Sequence, residues 1–205
     1  MPLIDLTQPF TRNMPVFPGD TPAGFQTVAE HEKDGYHGVR IDTGMHIGTH
    51  MDAPLHMIPG GKKLNDYPVS WFTGEAHVLD VRGHHVIGPE LLDHVDLEHT
   101  AILLLHSGWD AHFEAPRYYT EYPEISADFA SRLIGTRVRI IGLDWPSPDR
   151  APYKVHHILL GNDILIMENL TKLDSLSPAA AFRVYAFPYT YDMEASPVRV
   201  VAEIG

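Results

Sequence analysis

The chain has 205 residues, 44% of them hydrophobic and 20% charged, which suits one soluble globular domain spanning residues 1–205 with a substantial core. Its formal net charge of −12, with 15 basic residues against 27 acidic ones and no basic run, argues against a nucleic-acid partner, whose phosphates are met by Lys and Arg. The absence of cysteine removes disulfides, thiolate ligands and a cysteine nucleophile, so any metal must be held by His, Asp, Glu and water.

No apolar run reaches the roughly 18 residues of a membrane span, and Met1, Pro2, Leu3, Ile4 and Asp5 lack the basic and apolar regions of a signal peptide. A cytoplasmic protein is the expectation. Residues 3–6 read as a short strand, and 17–22, from Phe17 through Pro18, Gly19 and Asp20 to Pro22, as a dense turn signal. The Val39 and Ile41 alternation over 38–42 predicts a strand that delivers the chain into a histidine cluster. A second turn at 58–63 precedes Tyr67, Trp71 and Phe72, an aromatic group suited to a core or a dimer contact.

Residues 75–81 predict a strand, 89–94 a short helix, and the unbroken apolar run of 101–106 a strand in a sheet covered on both faces. Ser126 is placed to cap a helix through Leu133. Ile125, Phe129, Ala130, Leu133 and Ile134 form its apolar stripe, Asp128 favours the N-terminal dipole end and Gly135 is a stop. A buried strand follows at 138–143, then a polar loop at 144–149. Residues 155–161 read as a short helix ending at Gly161, and 164–170 as a buried strand carrying Glu168 at its end. Strands at 181–186 and 197–203, joined by a loop at 187–196, close an α/β (α+β) chain with no repeat or linker.

The cluster itself runs His46, Ile47, Gly48, Thr49, His50, Met51, Asp52, Ala53, Pro54, Leu55, His56. A lone histidine is ordinarily a surface or hydrogen-bonded core residue, and His31, His37, His77, His84, His85, His94, His99 and His112 are read as solvated. The joint pattern is different, because imidazole and carboxylate are the usual ligands of zinc and similar ions. On a helix Asp52 would fall about 120° off the face shared by His46 and His50. On a flat strand His46 and Asp52 would lie roughly 20 Å apart. A bent strand or loop is therefore expected, with Gly48 tolerating unusual dihedrals and Pro54 favouring an extended Ala53. His46, His50 and Asp52 would hold one ion. If the segments meet, His156 and Glu168 would hold a second ion with the free oxygen of Asp52, leaving His56 as proton donor to a departing amine. No Gly-x-Ser-x-Gly elbow, Gly-x-Gly-x-x-Gly pattern or Walker A motif offers a competing chemistry.

The run from His46 to His56 resembles the His-x-Gly-Thr-His-x-Asp-x-Pro-x-His signature of the metal-dependent cyclase family, which includes bacterial kynurenine formamidases and isatin hydrolases. The turn from Phe17 to Pro22 resembles that family's Pro-Gly-Asp turn, and His156, His157, Ile158, Leu159 and Leu160 leading to Glu168, Asn169 and Leu170 resemble its late segment. The resemblance implies a single-domain swivelling β/β/α fold with a mixed sheet core. It implies His46, His50, Asp52, His156 and Glu168 as metal ligands, Asp52 bridging, and His56 as the catalytic acid/base. It also implies a dimer or higher oligomer whose neighbouring subunits help wall the site. Phe17 stands where the formamidase pattern favours Trp, and Met57 where it favours Phe, so the substrate pocket is expected to differ while the ligand set is intact. The expected activity is hydrolysis of a small-molecule aryl formamide such as N-formylkynurenine, with one or two zinc ions per subunit or manganese in their place. A cyclic-amide hydrolase of the isatin type is the enzyme alternative. The alternative of another class is a non-catalytic metal- or ligand-binding module, which predicts a closed ligand shell and indifference to loss of His56.

Overall fold

The computed structural model describes residues 1–177 and 181–205. Its strands are β1 (Leu3–Asp5), β2 (Gly24–Ala29), β3 (Gly38–Asp42), β4 (His50–Asp52), β5 (Thr73–Asp80), β6 (Val86–Ile87), β7 (Ile102–His106), β8 (Glu124–Ile125), β9 (Ile140–Leu143), β10 (Leu165–Glu168), β11 (Phe182–Pro188) and β12 (Ala195–Ile204). Its α-helices are α1 (His31–Asp34), α2 (Ala127–Arg132) and α3 (Lys154–Leu160).

The apolar stretches of the middle of the chain become the adjacent parallel strands β5, β7, β9 and β10. Antiparallel β11, β12 and β4 complete the sheet, and because β12 also pairs with β4, the order β12-β11-β5-β7-β9-β10-β4 returns on itself as a barrel-like ring, with β1 added on β12. Successive strand side chains alternate between faces, and that alternation divides the core. Met51, Val78, Ile102, Leu104, Ile140, Leu165, Met167, Val184 and Val200 pack together inside the ring. Leu103, Leu105, Ile141, Leu143 and Ile166 face outward and are covered by Phe129, Ala130 and Leu133 at α2 and by Val155, Leu159 and Leu160 of α3. Strands buried on both faces read as unbroken apolar runs, as 101–106 does. Gly142 points inward, where an added Cβ would lie 2.6 Å from Leu170 Cδ1 and 2.7 Å from Leu104 Cδ2. Only the missing side chain lets these three elements close up.

The expected elements are present with adjusted ends. Ser126 caps α2, accepting from Phe129 N at 3.2 Å, and Gly135 takes a positive φ of 79° just beyond it. Ile134, assigned to the apolar stripe, lies beyond the helix end at Arg132 and is 43% exposed, whereas Leu133 stays buried. The helix expected at 89–94 is a 3₁₀ turn, Pro89–Leu92. The loop expected at 187–196 is shorter, since Phe187 and Pro188 continue β11 and Ala195 and Ser196 begin β12. Cross-strand pairing extends the ladder beyond what local propensity marks. Among the described residues, strand β3 pairs only with β2, which sequence patterning did not mark, in a two-stranded sheet apart from the ring. Tyr67 and Phe72 join the inner core, with Trp71 packed against it. Among the described residues, no helix is long and apolar enough to cross a membrane.

Candidate metal centre

The site lies on the outer face of the ring where β4 meets β10. Register sets Glu168 opposite His50. Because Met51 and Met167 fill the interior, alternation turns His50, Asp52 and Glu168 outward together. The approach to β4 is bent as its sequence requires. Gly48 has a φ of 56°, a left-handed conformation that glycine adopts without steric cost. Ile47 is buried beside Met14, Phe113 and Tyr118, which anchors the loop that carries His46. Thr49 Oγ1 donates to the carbonyl of Asn169 at 2.7 Å and accepts from Gln8 N at 2.8 Å. Beyond β4, Ala53 is extended, and a 3₁₀ turn from Pro54 to His56 brings His56 back over the site.

All six residues singled out in the sequence meet here. His46 Nδ1 lies 3.0 Å and His50 Nε2 3.5 Å from Asp52 Oδ1. His50 Nε2 is 3.3 Å from Glu168 Oε2, and His156 Nε2 is 3.7 Å from Glu168 Oε1. The His56 ring lies with its centroid 4.2 Å from that of His46 and 6.0 Å from that of His156. Donor atoms of His50, Asp52 and Glu168 lie within 4.8 Å of one another, as do those of His46, Asp52 and His56. Asp52 belongs to both groups.

Close approach does not become hydrogen bonding at the centre. Among the described residues, His50 Nε2 and both Asp52 carboxylate oxygens are buried with no hydrogen-bond partner. Leaving one such group unsatisfied costs about 1–3 kcal/mol, and more when it is charged. A divalent cation satisfies all three atoms at once, and the donor set of imidazoles and carboxylates is the one such ions take. The residues present therefore fit a metal.

Electrostatics reinforce the fit. Burial works against a charge on His50, but Asp52, Glu168 and the Gly48 carbonyl outweigh it and raise its pKa to about 9. Burial likewise opposes charge on His156, yet Asp149 and Glu168 raise its pKa to about 10. Asp52 is held well below the usual carboxylate range by His46 and His50, against the effect of its burial. The pocket thus concentrates negative potential that protons balance and that a bound cation would balance instead. His56 moves the other way: burial lowers its pKa, helped by His46 and His156.

A cavity of about 330 Å³ opens onto these residues. Its walls include Val16, Phe17, Met57, Tyr119 and Tyr153, so both positions that depart from the formamidase pattern face it. Phe17 and Tyr119 meet edge to face, with ring centroids 5.7 Å apart.

Three residues to which the sequence reading gave no part in the site support it. Asp149, in the loop read only as polar, is buried and holds His156 Nδ1 at 2.6 Å. Its signal is an acid shortly ahead of a helix that carries histidine. Asn169 donates from Nδ2 to the Gly48 carbonyl at 2.9 Å and accepts from Tyr118 OH at 2.8 Å, fixing the bend before His50. Glu194 Oε1 stands 3.6 Å from His46 Nε2. Its position follows from β12 pairing with β4, which no local pattern announces.

The Cyclase family model matches residues 4–150. Kynurenine formamidase of Bacillus cereus is 35% identical over 203 residues, covering 97% of this chain and 95% of that protein. Its counterpart in Bacillus mycoides is 34% identical with the same coverage. A solved structure described as a potential metal-dependent hydrolase with cyclase activity superposes with a TM-score of 0.84 at 25% identity, covering 98% of this chain and 96% of that one. Isatin hydrolase A from Labrenzia aggregata shares the fold, with a TM-score of 0.87 at 22% identity over 98% of this chain and 93% of its own. The family match across most of the chain, the near full-length likeness to the formamidases and the convergence of the motif from His46 to His56 with His156 and Glu168 make one conclusion: the chain belongs to the Cyclase family.

Proposed function

We propose that this chain is a metal-dependent amidohydrolase, an arylformamidase that hydrolyses N-formylkynurenine or a related aryl formamide to the aryl amine and formate. The observation that carries the reading is the set of buried, unpartnered donor atoms, His50 Nε2 and both oxygens of Asp52, at the floor of an aromatic-walled cavity. The formamidase relatives, alike over nearly the whole chain, support the substrate class.

In this reading His46, His50 and Asp52 would hold one ion, and His156 and Glu168 with Asp52 would hold a second. Bound ions of this kind polarise a carbonyl and acidify water. Zinc is favoured over manganese by the affinity order for imidazole and carboxylate sites. Phe17, Met57, Tyr119 and Tyr153 hold the aryl group and exclude bulk water, and the cavity volume is at the lower end of the roughly 300–1,000 Å³ usual for ligand pockets. His56, its pKa lowered by burial, is neutral at neutral pH. It takes a proton from the attacking water and returns it to the departing nitrogen as the C–N bond breaks.

The whole of residues 1–205 acts as one domain, since the site draws on both 46–56 and 149–169. An assembly of two or four copies in the cytoplasm completes the reading, supported by apolar residues exposed on the β2–β3 hairpin, Val28 at 58% and Ile41 at 51%. An open cavity over the ligands speaks against a closed structural metal site. Assay of N-formylkynurenine and isatin with zinc-loaded protein tests the substrate. Turnover of the formamide is expected, and turnover of isatin without it would overturn the choice in favour of a cyclic-amide hydrolase.

A further inference from the structure

Three of the histidines that face the centre, His46, His50 and His156, have the other ring nitrogen against an acceptor. His50 Nδ1 lies 2.9 Å from the Gly48 carbonyl, and His46 Nε2 lies 3.6 Å from Glu194 Oε1. The tightest of these contacts is His156 Nδ1 to Asp149 Oδ1 at 2.6 Å, made by a carboxylate only 5% exposed. Its second oxygen, Oδ2, accepts from Val155 N in the first turn of α3 at 2.6 Å. Ser147 Oγ donates to the carbonyl of Asp149 at 2.8 Å and steadies the loop.

We propose that Asp149 is a positioning residue that fixes the tautomer of His156 and so decides whether the ion shared by His156 and Glu168 binds. The inference rests on the two-ion reading above. An ionised carboxylate only accepts, so the ring nitrogen facing it carries the proton. With one proton held on Nδ1, Nε2 is the nitrogen that gives up its proton to a cation and turns a lone pair toward it beside Glu168. A carboxylate behind a metal-bound imidazole sets ring orientation and basicity, and its loss commonly costs 10–100-fold in metal affinity.

Asp149→Asn isolates this role because it keeps shape while inverting one contact. The amide has one oxygen and one NH₂ in place of two oxygens. Val155 N–H can only donate, so it claims the oxygen. The NH₂ then faces His156 Nδ1, which can only accept from it, and the ring proton moves to Nε2, where it blocks ligation. The opposite amide orientation would leave two buried donors facing each other at Val155, which costs more than a change of imidazole tautomer.

The test is metal stoichiometry of zinc-loaded wild-type and Asp149→Asn protein by elemental analysis, with melting curves and ¹H–¹⁵N spectra of histidine-labelled samples. Wild type is expected to hold two ions and the variant one, with affinity for the second ion about 10–100-fold weaker. His156, assigned from a His156→Gln sample, should show Nδ1–H in wild type and Nε2–H in the variant. Ser147→Ala, which loosens the same loop but keeps the carboxylate, should hold two ions. Two ions bound with unchanged affinity in Asp149→Asn would overturn the inference while leaving the proposed function standing. Loss of the ion in both loop variants would make the role of Asp149 merely structural and also overturn it. Nε2–H on His156 in zinc-loaded wild type would do so even if Asp149→Asn fails to fold. Wild type with one ion removes the two-ion reading and this inference together, and wild type with none removes the proposed function itself.

Discussion

Replacing His56 with alanine separates proton transfer from metal binding. The ring belongs to a group with His46 and Asp52 whose donor atoms lie within 4.8 Å of one another, so the geometry admits His56 as either ligand or acid/base. As an acid/base it touches only reacting atoms, and its loss should lower kcat by roughly 10²–10⁴-fold, about 3–5 kcal/mol of barrier. The half-buried ring lines the cavity and packs against the rings of His46 and His156. Melting should therefore shift by no more than about 2–4 °C, corresponding to roughly 1 kcal/mol in a chain of this size. Zinc content measured beside kcat and KM completes the assay. Expected are two ions, a nearly unchanged KM and a much reduced kcat. A His56→Ala protein that has lost an ion along with its activity would refute the assignment and place His56 among the ligands.

Asp52→Ala should behave oppositely, losing both ions and activity together, because the two donor groups that converge here share its carboxylate; elemental analysis showing retained zinc would contradict a bridging role. Gly142→Ala should destabilise by about 1–3 kcal/mol through overpacking, since its Cβ would lie 2.6 Å from Leu170 Cδ1 and 2.7 Å from Leu104 Cδ2, and an unchanged melting temperature would mean that the ring interior is less tightly filled. Burial pushes the Asp144 carboxyl up to about 7, against hydrogen bonds from Ser107 and Gly108 that favour its charge. Its pKa is thus higher folded than unfolded, so its contribution to stability is complete below about pH 4 and is lost as pH rises through about 7. Urea unfolding from pH 4 to 8 should show this decline in wild type relative to Asp144→Asn, and parallel profiles would refute it.

The sequence made visible what local chemistry dictates. Apolar runs announced the doubly covered strands at 101–106 and 138–143, and Ser126 and Gly135 bracketed α2 through capping and left-handed geometry. The spacing of His46, His50 and Asp52 excluded a helix and a flat strand, and the positive φ of Gly48 supplies the required bend. Long-range pairing was not legible. The β12–β4 ladder that closes the ring and carries Glu194 to His46 joins segments with no shared local signal. Strand β2 escaped notice because its partner β3 leaves much of its surface exposed, so no buried alternation marks it. Asp149 was hidden in a loop whose polarity is ordinary until α3 brings His156 against it.

Chelation followed by reconstitution tests the central claim most directly. Protein stripped of metal should lose hydrolysis of N-formylkynurenine, and titration with zinc should restore it in step with the filling of the site proposed at His46, His50, Asp52, His156 and Glu168. Stripped protein, shown by elemental analysis to be metal-free, that hydrolyses the formamide at the original rate would contradict the account.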